Sequence, residues 1–236
     1  MEAHVHDTLV AGCLLNDPSA VRVVCSEGPK RVLELVQWGA DFTRSQDGSL
    51  HLTREGGHSN RRIVHAKDAT GLEIERALVA AARAHPNITV LEHHHAVDLV
   101  MGEVGGVPHC LGVDALCLPT GKSARFLAYS TMIASGGAGQ VYQHTTNPSV
   151  VTGDGIAMAC RARASVANLE FVQFHPTGLF EPAAPRGSQG FLITEAVRGE
   201  GGVLYNRDME RFMPSYDARR DPGAAAGPTA LQLATA

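Results

Sequence analysis

Apolar positions recur at helical spacing between Gly71 and Pro86. Ile74, Ala77, Leu78, Ala81 and Ala82 fall at i, i+3, i+4, i+7 and i+8, one stripe of a helix that His85-Pro86 ends. Nearer the start, Asp17-Pro18 reads as an N-cap and a first helical residue, and residues 30–38 carry Val32, Leu33, Leu35 and Val36 before Gly39 stops them. The opening is therefore expected to be helical. Three β-type runs follow at 88–101, 107–118 and 124–134, divided by the turn clusters 102–106 and 119–122, and they predict antiparallel strands of a small sheet. Beyond the glycines of 135–139, residues 155–164 read as a helix. Residues 166–174 read as a strand running into a Pro/Gly-rich loop that lasts to Gly190. The last stretch, RRDPGAAAGPTALQLATA, has neither period and is expected to be an aberrant or disordered tail covering 218–236. No strand precedes the first helix, although an α/β enzyme normally opens with one, so both ends are expected to be cut.

Within this outline, several clusters carry candidate chemistry. Residues 126–142, FLAYSTMIASGGAGQVY, deliver an apolar strand into a Ser-Gly-Gly-Ala-Gly turn where backbone can approach a cofactor without an intervening Cβ. A tight turn is the plainer reading, and no G-x-G-x-x-G follows a first strand anywhere. Asp154, in Thr152-Gly153-Asp154-Gly155, stands at the mouth of a helix, where capping explains an acid and a cofactor hydroxyl is the alternative. Residues 54–62, REGGHSNRR, suit a polar site better than a core: Glu55 can face an ammonium while neighbouring guanidinium or imidazole groups take carboxylates. His175, in FHPT, ends an apolar run and points into whatever cleft the sheet builds. Thr194 and Glu195, with Arg198 four residues after Thr194, put a hydroxyl, a carboxylate and a guanidinium within one or two turns. A solvated loop, a structural histidine and an exposed helix start are the bland counterparts of these three. His93, His94 and His95 alternate faces on a strand and cannot share one ion, and His4 with His6 lacks a third ligand, so no metal is expected.

Composition narrows the classes. The 236 residues hold 20 Lys+Arg against 24 Asp+Glu, a formal charge of -4, with no sustained basic run; nucleic acid and membrane are not expected partners. Five cysteines without a C-x-x-C pair suggest neither a disulfide framework nor a zinc site. The first residues lack the basic start and apolar core of a signal peptide.

Taken in order, REGGHSNRRIVHAKDATGLEIERAL, ASGGAGQVYQHTTNP, TGDGIAMA, ANLEFVQFHPTGLF, LITEAVRGEGGVLYN and RFMPSYD resemble the L-aspartate oxidase family, a branch of the succinate dehydrogenase and fumarate reductase flavoproteins. The resemblance covers nearly all of residues 3–217. FHPT and RGEGG are general to the flavoproteins, whereas Glu55, the IERAL continuation and RFMP resemble the aspartate oxidase branch. It implies an α/β and α+β fold, in which residues 1–165 are a partial FAD-binding domain with a small antiparallel sheet and 166–217 part of an α+β capping domain. By the same resemblance His95 and Ala96 contact the adenine side of FAD, Ser135, Gly136, Gly137 and Ala138 form a turn near the cofactor, and Asp154 contacts the flavin. His175, Thr194 and Glu195 match substrate and active-site positions, and Glu55 and Arg198 match residues that orient the amino acid.

The implied chemistry is FAD-dependent oxidation of L-aspartate to iminoaspartate, with oxygen or fumarate as acceptor, feeding quinolinate and NAD synthesis and coupled functionally to quinolinate synthase. The glycine fingerprint for the FAD pyrophosphate and the C-terminal flavin contacts are missing. Where the family carries a segment like ELAPRD, this chain reads ARRDPGAAAGP, so a frame break near 219–221 and an inactive fragment are expected. A fumarate reductase or succinate dehydrogenase flavoprotein, or a non-enzymatic relic, are the alternatives. The cytoplasm is the default location, and a plastid fits if a transit peptide preceded the chain.

Overall fold

The computed structural model describes residues 1–54, 58–175, 177–181, 183, 185, 188–194, 197, 202–217 and 232–234. They form two compact units, one of Met1–Val90 with Thr194–Ala236 and one of Leu91–Ile193.

The first unit opens on a helical hairpin. Helix α1 (Glu2–Ala11) and helix α2 (Pro18–Gln37) bury Val5, Val21 and Cys25 between them, with Leu9 packed alongside. Asp17 caps α2 as expected, its carboxylate accepting from the Ser19 and Ala20 amides at 2.7 and 3.3 Å, with Pro18 in the first turn. The helix runs on through Gly28-Pro29 to Gln37, although Pro29 lacks an amide to donate and its ring crowds the preceding turn. Helix α3 (Thr70–Ala84) presents the predicted stripe, and its Ala77, 1% exposed, packs with Ala40 and Phe42 against Val32, Leu35, Val36 and Ile74. Glu73 ties α3 to the preceding segment: it accepts from the Asp41 amide at 2.7 Å and pairs with Arg76 at 2.6 Å. Arg76 and that amide pull the Glu73 carboxyl down to about 2.

Two short strands, β1 (Leu52–Thr53) and β2 (Ile63–Val64), pair antiparallel. Ser59 and Arg62, just ahead of β2, are tied to α1. Asp7 accepts from the Ser59 amide and hydroxyl at 2.8 Å each and from Arg62 at 2.7 Å, with the Asp7 and Arg62 side chains only 13% and 16% exposed. These bonds, the Ser59 amide first, hold the Asp7 carboxyl far below its ordinary range.

The second unit contains the predicted sheet. Strands β3 (His94–Val104), β4 (Val107–Cys117) and β5 (Lys122–Leu127) form an antiparallel meander, with register shifts between Ala96 and Asp98 and between Val100 and Met101. Helix α4 (Asp154–Arg161) packs on β3 and buries Gly155 and Met158. Arg161 anchors it, donating to Asp98 at 3.0 Å and to the Val97 carbonyl at 3.2 Å.

Three strand expectations fail in whole or in part. The run 88–101 is a strand only from His94, the run 124–134 only through Leu127, and 166–174 joins no ladder among the described residues. The unpaired segments carry apolar residues, but a strand needs a neighbour to pair with. Tyr129, Met132 and Phe174 are instead 108%, 90% and 83% exposed. In the first unit β6 (Val203–Tyr205) and helix α5 (Met213–Asp217) follow, and β7 (Gln232–Ala234), within the expected tail, pairs parallel to β6.

Candidate functional site

The second unit brings the cofactor candidates of the sequence onto adjoining elements. His95 and Ala96 lie on β3 opposite Leu116 and Ala115, and Asp154 begins α4, which the Arg161–Asp98 pair fastens to the same strand. Arg161 in turn keeps Asp98 ionised well below the ordinary aspartate range.

The glycine turn packs against the start of α4. A Cβ on Gly155 would overlap the Ser135 hydroxyl and lie 2.7 Å from Ile133 Cγ2, and one on Gly153 would lie 2.9 Å from Ala138 Cβ. Gly153 also takes the N-cap with φ +81°, a left-handed conformation that favours glycine. Asp154 is then the acid of the first turn, where a carboxylate favours the positive end of the helix, so its place at the helix mouth is accounted for and the cofactor hydroxyl stays the alternative. Gly136, at φ +73°, and Gly137 face open space instead, with nothing within 4 Å of a Cβ built on either. Bare backbone beside an uncrowded volume fits the close approach of a planar cofactor.

His175 lines a cavity of about 390 Å³ together with His144, Thr145, Thr146, Gln173 and Phe180. The wall is well bonded: the Gly190 amide donates to the Thr145 carbonyl at 2.7 Å and Gln189 to the Thr146 carbonyl at 2.9 Å. The His144 ring meets Phe180 edge-on at 5.5 Å. Sequence reasoning passed over His144, Thr145, Thr146 and Gln173. The polar string QHTTN, a few residues after the glycine turn, was the available signal for the first three. His175 itself is half-buried, its Nδ1 3.2 Å from the Thr177 amide and 3.1 Å from the Thr177 carbonyl.

Thr194 belongs to the first unit, where its hydroxyl donates to Asp68 at 2.9 Å. Arg62, grouped with Glu55 as a possible carboxylate partner, is engaged by Asp7 instead. Glu55, Glu195 and Arg198 lie outside the described residues.

The family described as FAD binding domain matches residues 1–229. The chloroplastic L-aspartate oxidase 2-a of Nicotiana tabacum is 56% identical over 225 residues, 94% of this chain and 35% of that protein. L-aspartate oxidase 1 of Ralstonia nicotianae is 50% identical over 224 residues, 93% of this chain and 41% of its own. Among solved structures, an E. coli quinol fumarate reductase superposes with a TM-score of 0.80 at 34% identity, covering 91% of this chain and 35% of that one. The chain thus spans 35–41% of the length of these curated relatives.

Proposed function

The chain belongs to the FAD binding domain family, and from that premise we propose that it is a segment of an L-aspartate oxidase, contributing part of the FAD site and part of the substrate site. The observation that carries this reading is the glycine cradle: Gly153 and Gly155 are packed on Ser135, Ile133 and Ala138, while Gly136 and Gly137 stay uncovered. Ser135, Gly136, Gly137, Ala138 and Asp154, with His95 and Ala96 on β3, hold the cofactor. Bound FAD supplies the hydride acceptor for oxidation of the substrate Cα. His175 donates a hydrogen bond to a substrate carboxylate, Thr194, Glu195 and Arg198 belong to the same recognition, and Glu55 takes the ammonium. Holding both carboxylates and the amino group fixes the face of Cα that is presented. In domain terms residues 1–165 belong to the FAD-binding part and 166–217 to the capping part.

Oxygen or fumarate serves as acceptor, and the product passes to quinolinate synthase. Two relatives named as chloroplastic, 56% and 55% identical, support a plastid location over a cytoplasmic one.

The test grafts residues 1–217 in place of the matching segment of the tobacco relative. Anaerobic L-aspartate is expected to bleach the flavin band of the graft, and a flavin-loaded graft that aspartate leaves yellow overturns the substrate assignment. The 34% identity to a quinol fumarate reductase supports a second reading, a dicarboxylate enzyme with no amino-group partner. Glu55→Gln separates the two: KM for L-aspartate is expected to rise at least about tenfold, equivalent to ~1.4 kcal/mol, with fumarate reduction less affected. Equal losses on both substrates favour the second reading.

A further inference from the structure

A neutral imidazole can donate from one ring nitrogen and accept at the other, and the donor role proposed for His175 requires the proton on the nitrogen that Thr177 does not hold. Nδ1 lies within hydrogen-bond distance of both the amide and the carbonyl of Thr177, at 3.2 and 3.1 Å. One ring nitrogen cannot serve both: protonated it donates to the carbonyl, unprotonated it accepts from the amide. Thr177 is only 8% exposed, so each of its backbone groups needs a partner. Its carbonyl already accepts from the Ile193 amide at 3.1 Å and loses nothing if Nδ1 gives it no proton. Its amide has Nδ1 as acceptor, and a proton on Nδ1 would orphan that buried N–H and set two donors against each other. A buried orphan of this kind shifts an equilibrium by about tenfold or more.

We propose that Thr177 is a positioning residue whose backbone amide holds neutral His175 as the Nε2–H tautomer, so that the ring offers the cavity a hydrogen-bond donor and not a base. The ligand chemistry this suits is a carboxylate. That identification rests on the proposed function, whereas the tautomer does not. The Thr177 hydroxyl is buried and has no hydrogen-bond partner among the described residues, so the hold on His175 is made by the backbone. The base for the substrate ammonium then has to come from a group other than His175.

Long-range proton–nitrogen correlation on the ¹⁵N-labelled 236-residue chain, above the pH where imidazoles titrate, reads the tautomer directly, with His175→Gln identifying the ring by its loss. Nε2 is expected to be protonated and Nδ1 bare, with a through-hydrogen-bond coupling between Nδ1 and the Thr177 amide nitrogen. An Nδ1–H ring or an even mixture overturns the proposal. Thr177→Val, which keeps the amide and removes the hydroxyl, is expected to leave the pattern unchanged, and a switched tautomer in that variant also overturns it. In the grafted enzyme, glutamine places an amide donor near the Nε2 position and asparagine near Nδ1. KM for L-aspartate is expected to rise about tenfold less for His175→Gln than for His175→Asn, and an equal or reversed order refutes the donor role. The Nε2–H pattern in a graft that never oxidises aspartate would count against the proposed function alone. An Nδ1–H ring in an active graft would count against the tautomer alone.

Discussion

Gly155 and Gly137 sit in one cradle and make opposite demands. Gly155 is helical, so alanine there gains up to about 1 kcal/mol of propensity, yet its methyl would meet the Ser135 hydroxyl, the Ser135 Cβ and Ile133. Overpacking of this kind costs ~1–3 kcal/mol, and Gly155→Ala is expected to lower the melting temperature. Gly137→Ala meets open space and is expected to leave the melting temperature of the chain unchanged, while weakening FAD retention in the graft. If Gly137→Ala also leaves FAD retention intact, the turn is only a turn. The sequence marked the cluster 135–139 but not that Gly155 is crowded while Gly137 is open, because the groups that crowd Gly155, Ser135 and Ile133, lie some twenty residues away in the chain. Asp154 was legible as the acid at a helix start, whereas the left-handed cap position taken by Gly153 was not written in the local string.

At the scale of elements, what was legible was what is local. The three-stranded meander was readable because its turns at Gly105-Gly106 and Thr120-Gly121 join neighbouring strands, and α3 because its stripe lies within one helix. The segments 128–134 and 166–174 have strand propensity, but their pairing is decided by distant chain, which no window of sequence contains. Helix α3 also carries a pH signature. The Glu73 carboxyl falls from an ordinary 4.5 to about 2, so its contribution is complete above pH 4.5 and fades as the pH drops toward 2. Glu73→Gln is therefore expected to melt lower than the parent at pH 7 and to approach it by pH 3. An equal deficit at both pH values would mean that the charge on Glu73 does not hold the contact.

For the molecule as a whole, the family was readable from the order of its strings, whereas the roles of single residues were not. Glu55 and Arg198 drew attention through residue type and through the resemblance, and Thr194 is bonded to Asp68, a partner that its sequence neighbours do not suggest. The exposure of Tyr129, Met132 and Phe174 has a solution consequence. The isolated chain is expected to bind hydrophobic dyes, to associate with rising concentration and to purify with little or no flavin, whereas the graft should do none of these. Stoichiometric flavin on the isolated chain would contradict that expectation. The tie between α1 and the loop of Ser59 and Arg62 bears on the order of events as the chain folds. Its bonds join residues 52 and 55 positions apart, while the α1–α2 hairpin closes over a short connection. Near contacts form early and distant ones late, so the hairpin stands before the loop is drawn to it. An interaction made after the rate-limiting step governs opening more than closing. Asp7→Asn is accordingly expected to speed amide exchange at Ser59 and Arg62 while the hairpin refolds at its original rate.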